Sequence, residues 1–503
     1  MLEQLIMGFG SVFSDWFTVL LILVGVLIGL TMGSIPGLTG NMAVALLIPL
    51  TYAMPPVAAV SFLIAITKAG TFGGSIPAIL INTPGTPAAT ATAMDGYELA
   101  KKGKALKAMK MALHASTIGD LFSNFVLVLV AAQLAKVALK FGPVERFALI
   151  VFALTIIGMV SGKSLPKGLL SAGIGLLLAT IGMDPIVGFP RFDFDNINLS
   201  GGIGFVPLMI GLFGIAEVLK QVEERKKPKN DGEKIPPAAV LSVSSNPDDS
   251  KVTFSELKKC IRTIFRSCTV GTFIGILPGL GASVAAWLGY GMAQKASKNP
   301  ETFGKGNIEG VAAAEAANNA VDGANLIPLL TLGIPGNNAA ALIAGALMIH
   351  GLPVGPMIFE KAGSTVYAIF AAAFITIAAY WLIGLYFIRC GVILTKISRE
   401  YLFPIITVIC VMGVYTINTN LFDVGVMMAA GGLGYSMRKF SIPLPPLIIG
   451  FLLGPEAEMT LRHTMMLSQG SIGIFFHHPI ALIFLAITAI TVVKMMLNKK
   501  KGD

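Results

Sequence analysis

Charge is what this sequence has least of. Only 13% of its 503 residues are charged, against 54% hydrophobic, about half the charge usual in a soluble chain. That shortage excludes a string of soluble domains, because each core would need its own polar surface. Positive charge is absent from residues 1–67, and the first cation is Lys68. The first apolar run therefore lacks a basic n-region and does not read as a secretory signal. Cysteine is scarce, and Cys260, Cys268, Cys390 and Cys410 show neither metal-ligand spacing nor a disulfide pattern. The histidines form no chelating pair on a helix face, and His477–His478 adjoins the last helix. No Walker A sequence, H-E-x-x-H or G-x-S-x-G occurs. The motifs therefore give no support to an enzyme.

What is present is apolar sequence of membrane-crossing length. It occurs at residues 111–135, 147–161, 168–183, 203–216, 365–388, 402–417, 441–453 and 479–497, and shorter apolar sequence at 16–30 and 42–50 flanks the polar break at 34–41. The fold class is an all-α polytopic membrane protein. The net charge of +10 does not point to nucleic acid, because the cations sit in short loops, as the positive-inside rule expects.

An internal repeat organises the chain. "IPGLTGN" at 35–41 returns as "LPGLGAS" at 277–283, and "IPAILINTPG" at 76–85 as "IPLLTLGIPG" at 327–336. "PLMIGLF" at 207–213 returns as "PLIIGFL" at 446–452. Three matched blocks in one order, with proline and glycine in register, make two halves of one fold. The expected units are a first repeat (1–220), a polar cytoplasmic linker (221–257), a second repeat (258–458) and a C-terminal helix with basic tail (459–503).

Charge relates the halves. The first begins with Glu3 and Asp15 and no cation, the second after Lys251, Lys258, Lys259, Arg262 and Arg266. Matching ends then face opposite sides, which makes an inverted-topology repeat with an odd number of crossings per half. About five per half plus a final helix gives about eleven crossings. Lys136, Lys140 and Arg146 fall outside in this scheme and are its one violation.

The glycines and prolines break helices where lipid would surround them. Residues 16–54 carry no flanking cation, and a re-entrant hairpin with "PGLTGN" at its tip fits, with 267–294 as its counterpart. Such backbone must face protein or a watery cavity, because unsatisfied N–H and C=O groups are costly in hydrocarbon. Each break also opens a half-helix whose free N–H groups attract an anion. A single break reads as a kink in packed helices. Four in symmetric pairs, decorated with Ser, Thr and Asn, read as the midplane site of a secondary carrier.

The sequence also resembles a known family. "IPGLTGN", "TKAGTFGGSIPAILINTPGTPAATATAMDGYELAKKGKA", "HASTIGDLFS" and "LTLGIPGNNAAALIAGALMIHGLPVGP" are similar to the large membrane subunit of the tripartite tricarboxylate transporters, and the resemblance covers almost the whole chain. It implies a bacterial inner-membrane carrier that works with a small membrane subunit and a periplasmic solute-binding protein. It implies import of citrate or another carboxylate on a cation gradient, and by analogy an elevator-type motion.

Candidate residues follow within that frame. Substrate binding is expected at Thr39, Asn41, Ser75, Asn82, Thr83, Thr86, Ser283, Asn337 and Asn338, with turn residues Pro36, Gly37, Gly40, Gly85 and Gly336 exposing backbone. A side chain at Gly40 is expected to crowd the anion and force a disallowed backbone. Lys68, a lone cation in apolar sequence, can neutralise a substrate carboxylate, snorkel to an interface, or pair with an acid. Asn319 is its match in the second half. Glu315, Asn318, Asn319, Asp322 and Asp120 are candidates for a coupling Na⁺ or H⁺, since carboxylate and amide oxygens suit a hard cation. Helix-end capping is the competing role. No other cofactor is expected. An anion channel, or an intramembrane enzyme using Asp322 and Glu315, is the alternative to a carrier.

Overall fold

The computed structural model describes residues 2–160, 164–226, 247–394 and 402–499, most of them helical. Most of the expected linker, residues 227–246, lies outside the described residues. Its flanks are more ordered than polarity suggests: one helix runs on to Lys226, and the next starts at Phe254 on a Thr253–Glu256 capping box. Among the described residues, four helical stretches are long and apolar enough to cross a membrane: Trp16–Ser34, Pro56–Ile81, Ala105–Ala138 and Gly363–Arg389. The chain is a multi-pass membrane protein.

The first half opens with α1 (Leu2–Ser14) and α2 (Trp16–Ser34), the latter capped by Asp15. After the first break come α3 (Gly40–Thr51), α4 (Pro56–Gly73) and α5 (Ser75–Ile81), which nearly continues α4. After the second break come α6 (Ala89–Lys101) and the long α7 (Ala105–Ala138). α3 is about 18 Å long, too short for a hydrocarbon core of about 30 Å. The half closes with α8 (Pro143–Val160), α9 (Leu165–Ala179), a two-residue strand pair β1 (Gly182–Met183) and β2 (Pro190–Arg191), α10 (Ile197–Ser200), α11 (Phe205–Ile210) and α12 (Ala216–Lys226). A π-turn at Gly211–Ile215 joins the last two. In the β1–β2 loop, the Asp184 carboxylate accepts the Ile186 and Val187 N–H groups and meets Arg462. These donors hold its carboxyl down at about 2.

The second half has α13 (Phe254–Ile276), α14 (Gly281–Ala296), α15 (Ile308–Ala324), α16 (Leu326–Leu332) and α17 (Asn338–Ile349). It continues with α18 (Ile358–Lys361), α19 (Gly363–Leu394), α20 (Leu402–Asn418), α21 (Leu421–Lys439), α22 (Pro445–Leu467), α23 (Ile474–His477) and α24 (Pro479–Lys499).

Small residues set the packing, as in membrane helix pairs where close backbone approach replaces the hydrophobic effect. A Cβ on Gly29 of α2 would lie 2.5 Å from Ile66 O of α4. A Cβ on Gly271 of α13 would lie 2.2 Å from Ala317 O of α15. Gly29 and Gly271 hold the same place in the repeat, as do Ile66 and Ala317. Gly33 against Gly70 and Gly73, and Gly275 against Val321 and Ala324, repeat the match one turn on. The "PLMIG" and "PLIIG" blocks cross over: Gly211 packs on Met427 O of α21, Gly450 on Ala172 O of α9. α4 and α15 are the innermost helices, with every residue of α15 from Gly310 to Ala324 buried.

Candidate functional site

Both breaks in each half are built by residues in the left-handed region. Gly37 (φ 84°) and Gly279 (φ 89°) turn the first pair, and both sit directly after proline. Asn82 (φ 53°) and Gly333 (φ 75°) end α5 and α16 in the second pair. Glycine and Asn are the residues that adopt this conformation most cheaply.

The four half-helices that follow begin around one cavity of about 220 Å³. Its wall takes Thr39, Gly40 and Asn41 from the start of α3 and Thr86, Pro87 and Ala88 from the start of α6. Gly281, Ala282 and Ser283 come from α14, and Asn337, Asn338 and Ala339 from α17. Thr67 and Thr71 of α4 and Asn318 and Asp322 of α15 complete it. In the repeat register each residue from one half has its match from the other: Thr67 with Asn318, Thr71 with Asp322, Asn41 with Ser283, Thr86 with Asn337.

Helix starts leave N–H groups unpaired. Three are partly capped: Thr39 Oγ1 accepts Met42 N–H (3.2 Å), Thr86 Oγ1 accepts Ala89 N–H (3.3 Å) and Asn337 Oδ1 accepts Ala340 N–H (2.9 Å). The cap residue of α14 makes no side-chain hydrogen bond. The remaining N–H groups and the four positive dipole ends favour an anion. Asn338 Oδ1 has no partner.

Of the expected binding residues, Thr39, Gly40, Asn41, Thr86, Ser283, Asn337 and Asn338 meet at this cavity, and so do Asn318 and Asp322. The disallowed backbone expected of a side chain at Gly40 is not what the structure shows. The φ of Gly40 is not positive, and a Cβ there would meet Gly70 Cα of α4 at 3.1 Å. Pro36, Gly37, Gly85 and Gly336 shape the turns outside the lining. A Cβ on Gly85 would strike Gly33 O at 2.4 Å, and one on Gly336 would press on Asn325 at 3.0 Å. Asn82 and Thr83 also stand outside: Asn82 is an exposed C-cap, and Thr83 donates to Ile81 O (3.2 Å).

Two charged groups are engaged behind the wall. Lys68, 1% exposed, pairs with Asp120 of α7. Glu315 is fully buried and caged: Ser75 Oγ donates at 2.5 Å, Ser116 Oγ at 2.8 Å, and Thr92 Oγ1 donates as well. Asn319 Nδ2 donates to Ser116 Oγ (2.8 Å) and Glu315 O (3.1 Å). Ser75 thus serves Glu315 and not the cavity. Thr67 and Thr71 were not expected. Carrying Asn318 and Asp322 through the repeat register would have found them.

A larger cavity of about 500 Å³ lies among Phe141, Arg146, Leu332, Val354 and Pro455. It holds none of the expected residues and is mostly apolar. The smaller cavity is the candidate because polar groups from both halves converge there.

The sequence model of the tripartite tricarboxylate transporter TctA family matches residues 19–449. The chain belongs to this family. It is 36% identical over 474 residues to an uncharacterised 52.8-kDa protein of Agrobacterium vitis from the TAR-I ttuC′ 3′ region, covering 94% of this chain and 92% of the relative. A second A. vitis protein, uncharacterised and from the TAR-II ttuC′ 3′ region, is 37% identical over 227 residues, 45% of this chain and 94% of that protein. No solved structure matches.

Proposed function

We propose that this TctA-family chain is the transporting membrane subunit of a carboxylate importer, a secondary active carrier driven by a cation gradient. Tricarboxylates such as citrate are the expected cargo, bound by carboxylate at the half-helix starts. One observation carries the reading: positions matched between the halves meet in a single polar cavity at four helix starts. The matched contacts of Gly29 and Gly271 support two repeats, and the loop cations support their inverted orientation with about eleven crossings. An elevator-type motion rests on analogy with other carriers.

Family membership supports the partners and the place proposed here. A small membrane subunit completes the membrane unit, a periplasmic binding protein delivers substrate, and the bacterial inner membrane is the location. The cavity is below the roughly 300 Å³ of a drug-sized site, which suits a small acid. Reconstitution with both partners tests this. Labelled citrate, succinate and other carboxylates should accumulate inside proteoliposomes against their gradient when a Na⁺ or H⁺ gradient is imposed. Equilibration without accumulation would indicate an anion channel, and chemical conversion of the acid an intramembrane enzyme.

A further inference from the structure

The cavity wall contains one carboxylate, Asp322, that makes no ion pair among the described residues. Lys68 is committed to Asp120, which makes a neutral pair. Glu315 is enclosed by hydroxyl donors. Asp322 alone brings its charge to the cavity, where its Oδ2 has no hydrogen-bond partner. Beside it, fully buried Asn318 has neither Oδ1 nor Nδ2 paired. Buried amides left without partners are rare and costly, so such a pair marks a place where something binds.

Across the cavity stand Thr67 and Thr71, the repeat matches of Asn318 and Asp322. Thr67 Oγ1 donates its proton to Leu63 O (2.9 Å), and Thr71 Oγ1 donates to Thr67 O (3.0 Å). With the protons directed into their own helix, both oxygens keep lone pairs for another partner.

We propose that Na⁺ binds between α4 and α15, on Thr67 Oγ1, Thr71 Oγ1, Asn318 Oδ1 and Asp322 Oδ2. The four ligands are oxygens, as a hard cation requires, and their single negative charge matches a monovalent ion. Among the described residues no group of three or more His, Cys, Asp or Glu exists to hold a metal of another kind. The ion also neutralises the one carboxylate that would repel an anion at the neighbouring helix starts, so carboxylate binding follows Na⁺ binding. This role in transport rests on the carrier reading; the binding site itself does not.

The test measures Na⁺ on the purified full chain in detergent, without any carboxylate. NaCl, exchanged for choline chloride at constant ionic strength, should raise the unfolding temperature saturably, and KCl should not. Asn318→Ala, Thr71→Val and Asp322→Asn should each weaken the apparent Na⁺ affinity at least tenfold. Three variants on two helices guard against one that fails to fold. No Na⁺-specific shift in the native chain, or unchanged Na⁺ saturation in the folded variants, would overturn the site. Carboxylate uptake that proceeds without Na⁺ would overturn the ion's role in carboxylate binding while leaving the carrier reading standing. Intact Na⁺ binding with no carboxylate uptake would overturn the carrier reading alone.

Discussion

Lys68 illustrates how far a single residue can be read from sequence. Its isolation among apolar neighbours announces a buried charge with a purpose. Which purpose depends on a partner 52 positions away, Asp120, whose approach no local pattern encodes. The same holds for Glu315, whose hydroxyl donors come from α5, α6 and α7. Burying both ions is costly, and their attraction repays it only while both are present. Lys68→Met should therefore destabilise the protein by about 3–5 kcal/mol, because it strands the Asp120 carboxylate. Adding Asp120→Leu should restore most of that loss. Thermal unfolding in detergent compares the two. A double variant no more stable than the single would show that the pair does more than balance charge.

At the scale of elements, the helix breaks were legible because Pro-Gly pairs cannot continue a helix in either half. Which break residues face the cavity was not legible. Asn82 and Thr86 are equally polar on paper, yet one caps the end of α5 and the other opens α6. The innermost helices are also the least conspicuous. The α4–α5 stretch, 89% buried, has a mean hydropathy of 1.5, against 2.3 for α2 at 44% buried. Helices sheathed by protein tolerate Thr, Asn and Lys that lipid would reject, so hydropathy understates them. Glycine spacing compensates, because it records close contacts. Gly29→Ala and Gly271→Ala should each cost about 1–3 kcal/mol by overpacking, while Gly432→Ala, with no atom within 4 Å of the new Cβ, should be neutral or slightly stabilising. Equal unfolding temperatures for all three variants would contradict the matched packing of α2 on α4 and α13 on α15.

At the scale of the whole molecule, two halves of similar sequence need not point the same way. The loop cations predict that they do not. Ser11 and Ser255 are exposed and stand near the starts of the two halves. Single cysteines at these positions, in a background without the native four, should react with an impermeant thiol reagent from opposite faces of the membrane. Reaction from one face would replace the inverted repeat with a parallel one. Opposed halves would let half-helices enter from both sides, and their starts then meet at one depth. The proposed anion site would in this sense be a property of the pairing and not of either half.

The account stands most directly on where a carboxylate sits. Cysteines at Asn41 and Asn338 would line the cavity from different halves, and one at Asn82 would lie outside it. The decisive measurement is the rate at which a small charged thiol reagent modifies each, with and without the carboxylate that the uptake screen identifies. The prediction is protection at Asn41 and at Asn338, with Asn82 unaffected. Equal rates with and without carboxylate at both cavity positions, in protein that still binds it, would place the anion elsewhere and reduce the four breaks to kinks for packing.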